Sequence, residues 1–330
     1  MTVDIAQRAE AMAKLGQVGG ALDLLEAEIG RGDADAAFAL AVWRLSGTIV
    51  PRDLRRAQTL FDRAACLGDS RAETISIALL AHGACGERDW QQAVARLARS
   101  ADGGDADAVD ERDLLAAMAL TPQGDPLVVP AWQALHGLAD IRLYRSALTP
   151  SECAFLIRRS TTRFRSSAVV DPSTGRRIQH PIRTSDAASF PLIAESPAIH
   201  ALNRRFAAMS GTQPAQGEPL QVLRYSVGQQ YRLHMDALPN NTDNQRAWTL
   251  LAYLNDDFDG GETHFPDLGL SIRARKGDAL LFANLNPDGT SDDSMRHAGL
   301  PVRRGTKLVA SRWIRVQPLN LAASEHHGGR

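Results

Sequence analysis

The sequence predicts a multidomain α + β chain: an N-terminal α-solenoid of helical repeats, then a jelly-roll-like barrel of short strands. Three observations carry this expectation. A Gly-Asp dipeptide recurs every 36 residues through the first third, at Gly32-Asp33, Gly68-Asp69 and Gly104-Asp105. Residues 121–131 hold three prolines and a glycine and interrupt that pattern. Beyond them, runs rich in β-branched, leucine and aromatic residues alternate with turn residues, which is the cue for a jelly roll or barrel.

Composition sets the limits first. Of 330 residues, 44% are apolar and 23% charged, which excludes a disordered, collagen-like or coiled-coil chain. No stretch approaches the roughly 18 apolar residues of a membrane span. The start, Met1-Thr-Val-Asp-Ile-Ala-Gln-Arg8, has no basic segment followed by an apolar run, so no secretory signal is expected. Cys66, Cys85 and Cys153 are too few and scattered for a disulfide framework or a Cys-ligated zinc site. They read as small buried residues of a cytoplasmic protein. The net charge of −1 conceals an asymmetry: residues 1–120 carry 13 basic and 19 acidic side chains (−6), and residues 121–330 carry 24 and 19 (+5). No basic stripe with interleaved aromatics appears, so neither nucleic acid nor membrane is an expected partner.

In the first third, Ala36, Ala72 and Ala108 follow the Gly-Asp pairs in register, and Ala21, Ala57 and Ala93 keep the same period upstream, as do Leu25, Phe61 and Leu97. Within one unit, Ala57, Leu60, Phe61, Ala64 and Ala65 recur at helical spacing. Glycine ends one helix and aspartate caps the next. A fixed period in this range signals stacked helical pairs. The pattern, over roughly residues 5–118, resembles Sel1-like repeats, relatives of the tetratricopeptide repeat. Such an array usually binds protein on its concave face. The expected organisation is 1–120 repeats, 121–139 linker, 140–318 barrel domain and 319–330 a frayed tail containing His326 and His327.

After a short helix near residues 150–159, strands are expected at 220–227, 247–255, 278–285 and 306–316. Nine histidines are present, and His234-Met-Asp236 is the one His-x-Asp arrangement. On an extended chain, residues two apart face the same way, so an imidazole and a carboxylate can reach one ion. A second histidine would complete the two-His-one-carboxylate face of non-haem Fe(II) sites. His264 and His297 are both candidates. Only three lysines, Lys14, Lys276 and Lys307, stand against 34 arginines. Lys307 begins a strand on which Lys307, Val309, Ser311 and Trp313 share a face. An inward-facing lysine needs an anionic partner, and a dicarboxylate would supply one; taken alone, Lys307 reads first as a strand-end residue with its ammonium in water.

Four stretches in order carry a further resemblance: residues 220–236, residues 251–266 with their Asp-Gly-Gly-Glu-Thr-His-Phe-Pro turn, Lys276-Gly-Asp-Ala-Leu-Leu-Phe282, and residues 297–313. Together, over roughly residues 140–318, they resemble the prolyl 4-hydroxylase-like branch of the 2-oxoglutarate/Fe(II) dioxygenases. The resemblance implies a double-stranded β-helix, the jelly-roll barrel of that family. It implies that His234, Asp236 and His297 bind Fe(II), that Lys307 pairs with the distal carboxylate of 2-oxoglutarate, and that Tyr225, Thr249 and Trp313 line the cosubstrate pocket. His264 falls where the family has no ligand. Arg183-Thr-Ser185 resembles the family's substrate-side loop, and Arg183 and Tyr231 are the implied substrate contacts. The implied reaction is hydroxylation of a C–H bond with decarboxylation of 2-oxoglutarate to succinate and CO2, using Fe(II) and O2, with ascorbate as an accompanying reductant. A prolyl residue of a protein or peptide, held partly by the repeats, is the favoured substrate. A free amino acid or small metabolite is the alternative, and an inactive repeat-based binding module a third reading.

Overall fold

The computed structural model describes residues 4–135, 138–170, 177–179, 182–239 and 243–319. The expected tail, with His326 and His327, lies outside the described residues except for Leu319. The chain divides into two compact units. One holds the N-terminal helices to Leu115 together with Leu192–His200; the other holds Ala116–Pro191 and Ala201–Leu319.

Among the described residues, the N-terminal part of the first unit is built of seven helices: Ile5–Lys14, Val18–Gly30, Ala34–Ser46, Leu54–Cys66, Ser70–His82, Trp90–Asp102 and Ala106–Ala117. The 36-residue period is physical. Asp33 accepts a hydrogen bond from the Ala36 amide, Asp69 from Arg71 and Ala72, and Asp105 from Asp107 and Ala108. Each cap satisfies amides that the first turn of a helix leaves without partners. A second series runs half a repeat out of phase. Gly47 and Gly83 end helices at φ 72° and 79°, and a Cβ there would lie 2.9 and 2.8 Å from the Cβ of Arg52 and Arg88. Both facts call for glycine. Asp53 and Asp89 then cap the following helices. The core of this unit is alanine-rich, with Trp43, Phe61, Leu25, Leu40, Leu60 and Leu79 among its larger members. Cys85 is buried, but Cys66 is exposed at a helix end, which corrects its expected burial.

The second unit is rich in sheet. Its major sheet has eight strands in the order Trp132–Leu135, Leu138–Tyr144, Ala279–Ala283, Arg246–Tyr253, Lys307–Arg315, Leu220–Tyr225, Asp186–Phe190 and Arg165–Ser166. The four strands expected from sequence are the middle of it, each within two residues at either end. The minor sheet orders Leu270–Ile272, Thr263–Phe265, His297–Gly299 and Tyr231–His234. Among the described residues these sheets stay open. Phe265, Phe282, Tyr253, Ile141 and Leu280 pack as one buried cluster drawn from both.

Two boundaries differ from expectation. The 121–139 stretch is not all linker: Trp132–Leu135 and part of Leu138–Tyr144 are strands at the edge of the major sheet, paired Trp132 to Tyr144. Its three prolines end at residue 130, after which nothing opposes pairing. Residues 192–200 group with the N-terminal helices although they lie inside the expected 140–318 domain. The helix Pro150–Ser160 starts at a capping box of Thr149 and Glu152. Glu152, 1% exposed, also takes both guanidinium nitrogens of Arg205, at 2.7 and 2.8 Å. Among the described residues no helix is long and apolar enough to cross a membrane.

Candidate metal and cosubstrate site

His234 ends one minor-sheet strand and His297 begins its neighbour, and the antiparallel register sets these two residues directly opposite each other. Directly opposed side chains share a face, so the ladder delivers two imidazoles to one place, with centroids 4.3 Å apart. Asp236, two residues beyond His234, points between them. Its carboxylate oxygens lie 3.6 Å from His234 Nε2 and 3.5 Å from His297 Nε2. The three ligand atoms fall within 4.8 Å of one another. His264, on the strand Thr263–Phe265, does not join the set.

Partners one step outside fix how these groups present themselves. His234 Nδ1 faces the Arg232 carbonyl at 2.8 Å, and His297 Nδ1 faces the Met295 carbonyl at 3.0 Å. A carbonyl only accepts, so each Nδ1 carries the proton and each Nε2 offers a lone pair. Thr249 donates its hydroxyl to Asp236 Oδ2 at 2.7 Å and accepts from Asn284 Nδ2 at 3.0 Å. Burial pushes the Asp236 carboxyl up, but His297, His234 and the Thr249 hydroxyl outweigh it and hold the group below the usual carboxylate range. Burial drives His297 down to about 4. At neutral pH Asp236 is ionised and His297 neutral. Two lone-pair imidazole nitrogens and one carboxylate fit a divalent first-row metal, with coordination positions left over.

The same residues open onto a cavity of about 430 Å³, its open mouth included, roofed by the minor sheet and floored by the major one. Lys307, Val309, Ser311 and Trp313 all line it, as their shared strand face requires. Lys307 is 4% exposed, so its ammonium is not in bulk water. It donates to the Gly261 carbonyl at 2.7 Å and lies over the rings of Tyr225 and Tyr253. Burial lowers its pKa to about 8, against the raising pull of Glu262. Burial also lifts the Tyr225 phenol well above its ordinary value, so the phenol keeps its proton at physiological pH beside the Lys307 ammonium. Arg246, paired with Glu218, stacks 3.8 Å over the Trp313 ring and fixes that wall.

Tyr231 lies parallel on His234, centroids 3.4 Å apart and planes 12° apart. Arg183 pairs by backbone with Tyr231, sits over its ring, and donates to Ser167. All nine residues singled out from sequence therefore lie in or beside one cavity. Sequence reasoning missed Asn284, Arg246 and the Gly261 carbonyl. A strand-end asparagine, one arginine among 34 and a backbone oxygen leave no pattern to find.

Comparison with known proteins places the chain in a family. Residues 220–315 match the model of the 2OG-Fe(II) oxygenase superfamily. The chain is 36% identical over 186 residues to prolyl 4-hydroxylase 1 of Arabidopsis thaliana, covering 51% of this chain and 66% of that protein. It is 35% identical over 197 residues to probable prolyl 4-hydroxylase 10 of the same plant, covering 53% and 68%. The chain thus spans about two thirds of the length of these relatives. Among solved structures, it resembles the viral collagen prolyl hydroxylase of Paramecium Bursaria Chlorella virus-1 in its 2OG complex, at 27% identity and a TM-score of 0.45, covering 56% of this chain and all of that one.

Proposed function

The chain belongs to the 2OG-Fe(II) oxygenase superfamily, with prolyl 4-hydroxylases as its relatives, and from that premise we propose that it hydroxylates prolyl residues of a protein or peptide. The observation that carries the reading is one cavity holding a His–Asp–His donor set and a buried, cationic Lys307. Neither has a structural need of the other. Together they suit a metal and a dicarboxylate side by side.

In this reading His234, Asp236 and His297 hold Fe(II). When bound, the metal supplies the redox chemistry that couples conversion of 2-oxoglutarate and O2 to succinate and CO2 with hydroxylation of a C–H bond. The chain does the rest. Lys307 takes the distal carboxylate of 2-oxoglutarate, and the Tyr225 phenol, held protonated, is a donor available to it. Thr249 fixes the Asp236 carboxylate and leaves its other oxygen for the metal. Leu223, Leu251 and Val309 keep the cavity dry, which strengthens the Lys307–carboxylate attraction. Tyr231, stacked on His234, and Arg183 form the rim against which a substrate would be placed.

We read the stacked helical pairs as a Sel1-like solenoid and the two sheets as faces of a double-stranded β-helix. The solenoid would hold polypeptide flanking the reactive proline. The free cysteines fit a reducing, cytoplasmic compartment. The test is succinate formation with Fe(II), 2-oxoglutarate, ascorbate and proline-containing peptides of increasing length. Stimulated succinate with one oxygen added to a peptide proline is the expected result, rising in kcat/KM with peptide length. Stimulation by free amino acids alone would move the activity to small molecules, and no stimulation by any peptide would refute the proposal.

A further inference from the structure

A second group of metal-ligating side chains lies in the helical unit. His82 is the last residue of the helix Ser70–His82. Glu195 follows the short turn Leu192–Ala194, and His200 sits in the first turns of the helix Pro197–Ser210. One ligand atom from each falls within 4.8 Å of the others. Glu195 Oε1 is 2.7 Å from His200 Nδ1, and the imidazoles of His82 and His200 have centroids 5.1 Å apart at 52°. Glu195 and His200 are 5% and 3% exposed. The start of the second helix is itself held, because Glu111, 2% exposed, accepts the Ala198 amide at 2.7 Å.

We propose that His82, Glu195 and His200 form a second divalent-metal site, of Zn(II) type, independent of the oxygenase centre. A carboxylate–imidazole hydrogen bond needs one histidine. Here two imidazoles from sequence-distant elements converge on one buried carboxylate, at a separation that a single ion spans by modest side-chain rotation. Two nitrogens and one carboxylate oxygen are the protein ligands of open Zn(II) sites, which leave a fourth position to water. Such a set disfavours Mg(II) and Ca(II), which take oxygen ligands. To bind through Nδ1, His200 must be the neutral tautomer with its hydrogen on Nε2, so no hydrogen remains between Nδ1 and Glu195 once the ion is bound. The bound ion would tie residue 82 to residues 195–200 across more than a hundred residues of chain.

The test needs metal content, not turnover. The full chain, with His326→Ala and His327→Ala to remove the tail imidazoles, is stripped with chelator and titrated with Zn(II), then with Co(II) for its visible spectrum. The expected result is two equivalents bound. An Asp236→Ala chain keeps one equivalent, with the intense bands of a tetrahedral Co(II) site, and adding His82→Gln or Glu195→Gln removes it. The proposal is overturned if the starting chain binds one equivalent and Asp236→Ala abolishes it. It is equally overturned if the equivalent left in Asp236→Ala survives both second changes. Because the first comparison leaves the helical unit intact, a misfolded His82 variant does not remove the test. Failure of the oxygenase reading would show instead as an Asp236→Ala chain that binds as many equivalents as the starting chain.

Discussion

Replacing Lys307 with methionine should move stability and cosubstrate binding in opposite directions. The ammonium is 4% exposed and burial lowers its pKa from 10.5 to about 8. Each tenfold loss of proton affinity is worth about 1.4 kcal/mol, so carrying the charge costs the folded state on the order of 3 kcal/mol. The sign follows from linkage. Between pH 8 and 10.5 the unfolded chain binds the proton that the folded chain has lost, so stability rises with pH there, and the cost is fully present below 8. Methionine removes that cost but leaves the Gly261 carbonyl without its donor, which returns roughly 1–3 kcal/mol. Without cosubstrate at pH 7, Lys307→Met should therefore match or exceed the wild type by up to about 2 kcal/mol in urea denaturation, with the advantage gone near pH 10.5. Affinity for 2-oxoglutarate should fall sharply, because a buried carboxylate loses its cationic partner. Truncating one side of such a pair costs about 2–5 kcal/mol, or roughly 30- to several-thousand-fold. Anaerobic titration of the Fe(II)-loaded protein, followed by its visible charge-transfer absorption, reads this directly. A variant that is several kcal/mol less stable, or that binds 2-oxoglutarate within threefold of wild type, would show that the ammonium props the sheet rather than waits for a ligand.

Three further outcomes are expected. The wild-type affinity for 2-oxoglutarate should weaken by up to tenfold per pH unit above about 8, where Lys307 loses its proton, and Lys307→Arg should flatten that slope in a pH series of the same titration. Thr249→Val removes the hydroxyl that orients Asp236, so Fe(II) affinity by competition with a chelator should drop about 10- to 100-fold, while Asp236→Ala abolishes it. Glu152→Ala strands the buried Arg205 and removes the acceptor of the Thr149 amide, and urea denaturation should show a loss of about 3–5 kcal/mol, with Fe(II) affinity unchanged.

What could be read beforehand was what depends on period and order. The 36-residue Gly-Asp spacing located the turns because both residues are needed there, one for its backbone and one for its cap. Yet Gly47, Gly83, Asp53 and Asp89 obey the same period and went unread, since five residues separate each glycine from its aspartate and no dipeptide marks them. Lys307 stood out through scarcity, and its strand partners through alternation. The edge strand Trp132–Leu135 was hidden by the neighbouring prolines, and the affiliation of residues 192–200 with the N-terminal helices depends on tertiary packing that no local pattern encodes. The convergence of His82, Glu195 and His200 has the same origin.

One detail of the metal site bears on how freely the protein can change. Each histidine is locked by a carbonyl two residues behind it on its own chain, Arg232 for His234 and Met295 for His297. Every amino acid supplies that oxygen. The side chains at 232 and 295 are thus released from service to the metal, and the locking device is inherited with the backbone. In a saturation library the ligand positions would be nearly invariant while the exposed position 232 drifts, and Met295, 5% exposed in the core, would be held by packing and not by the metal.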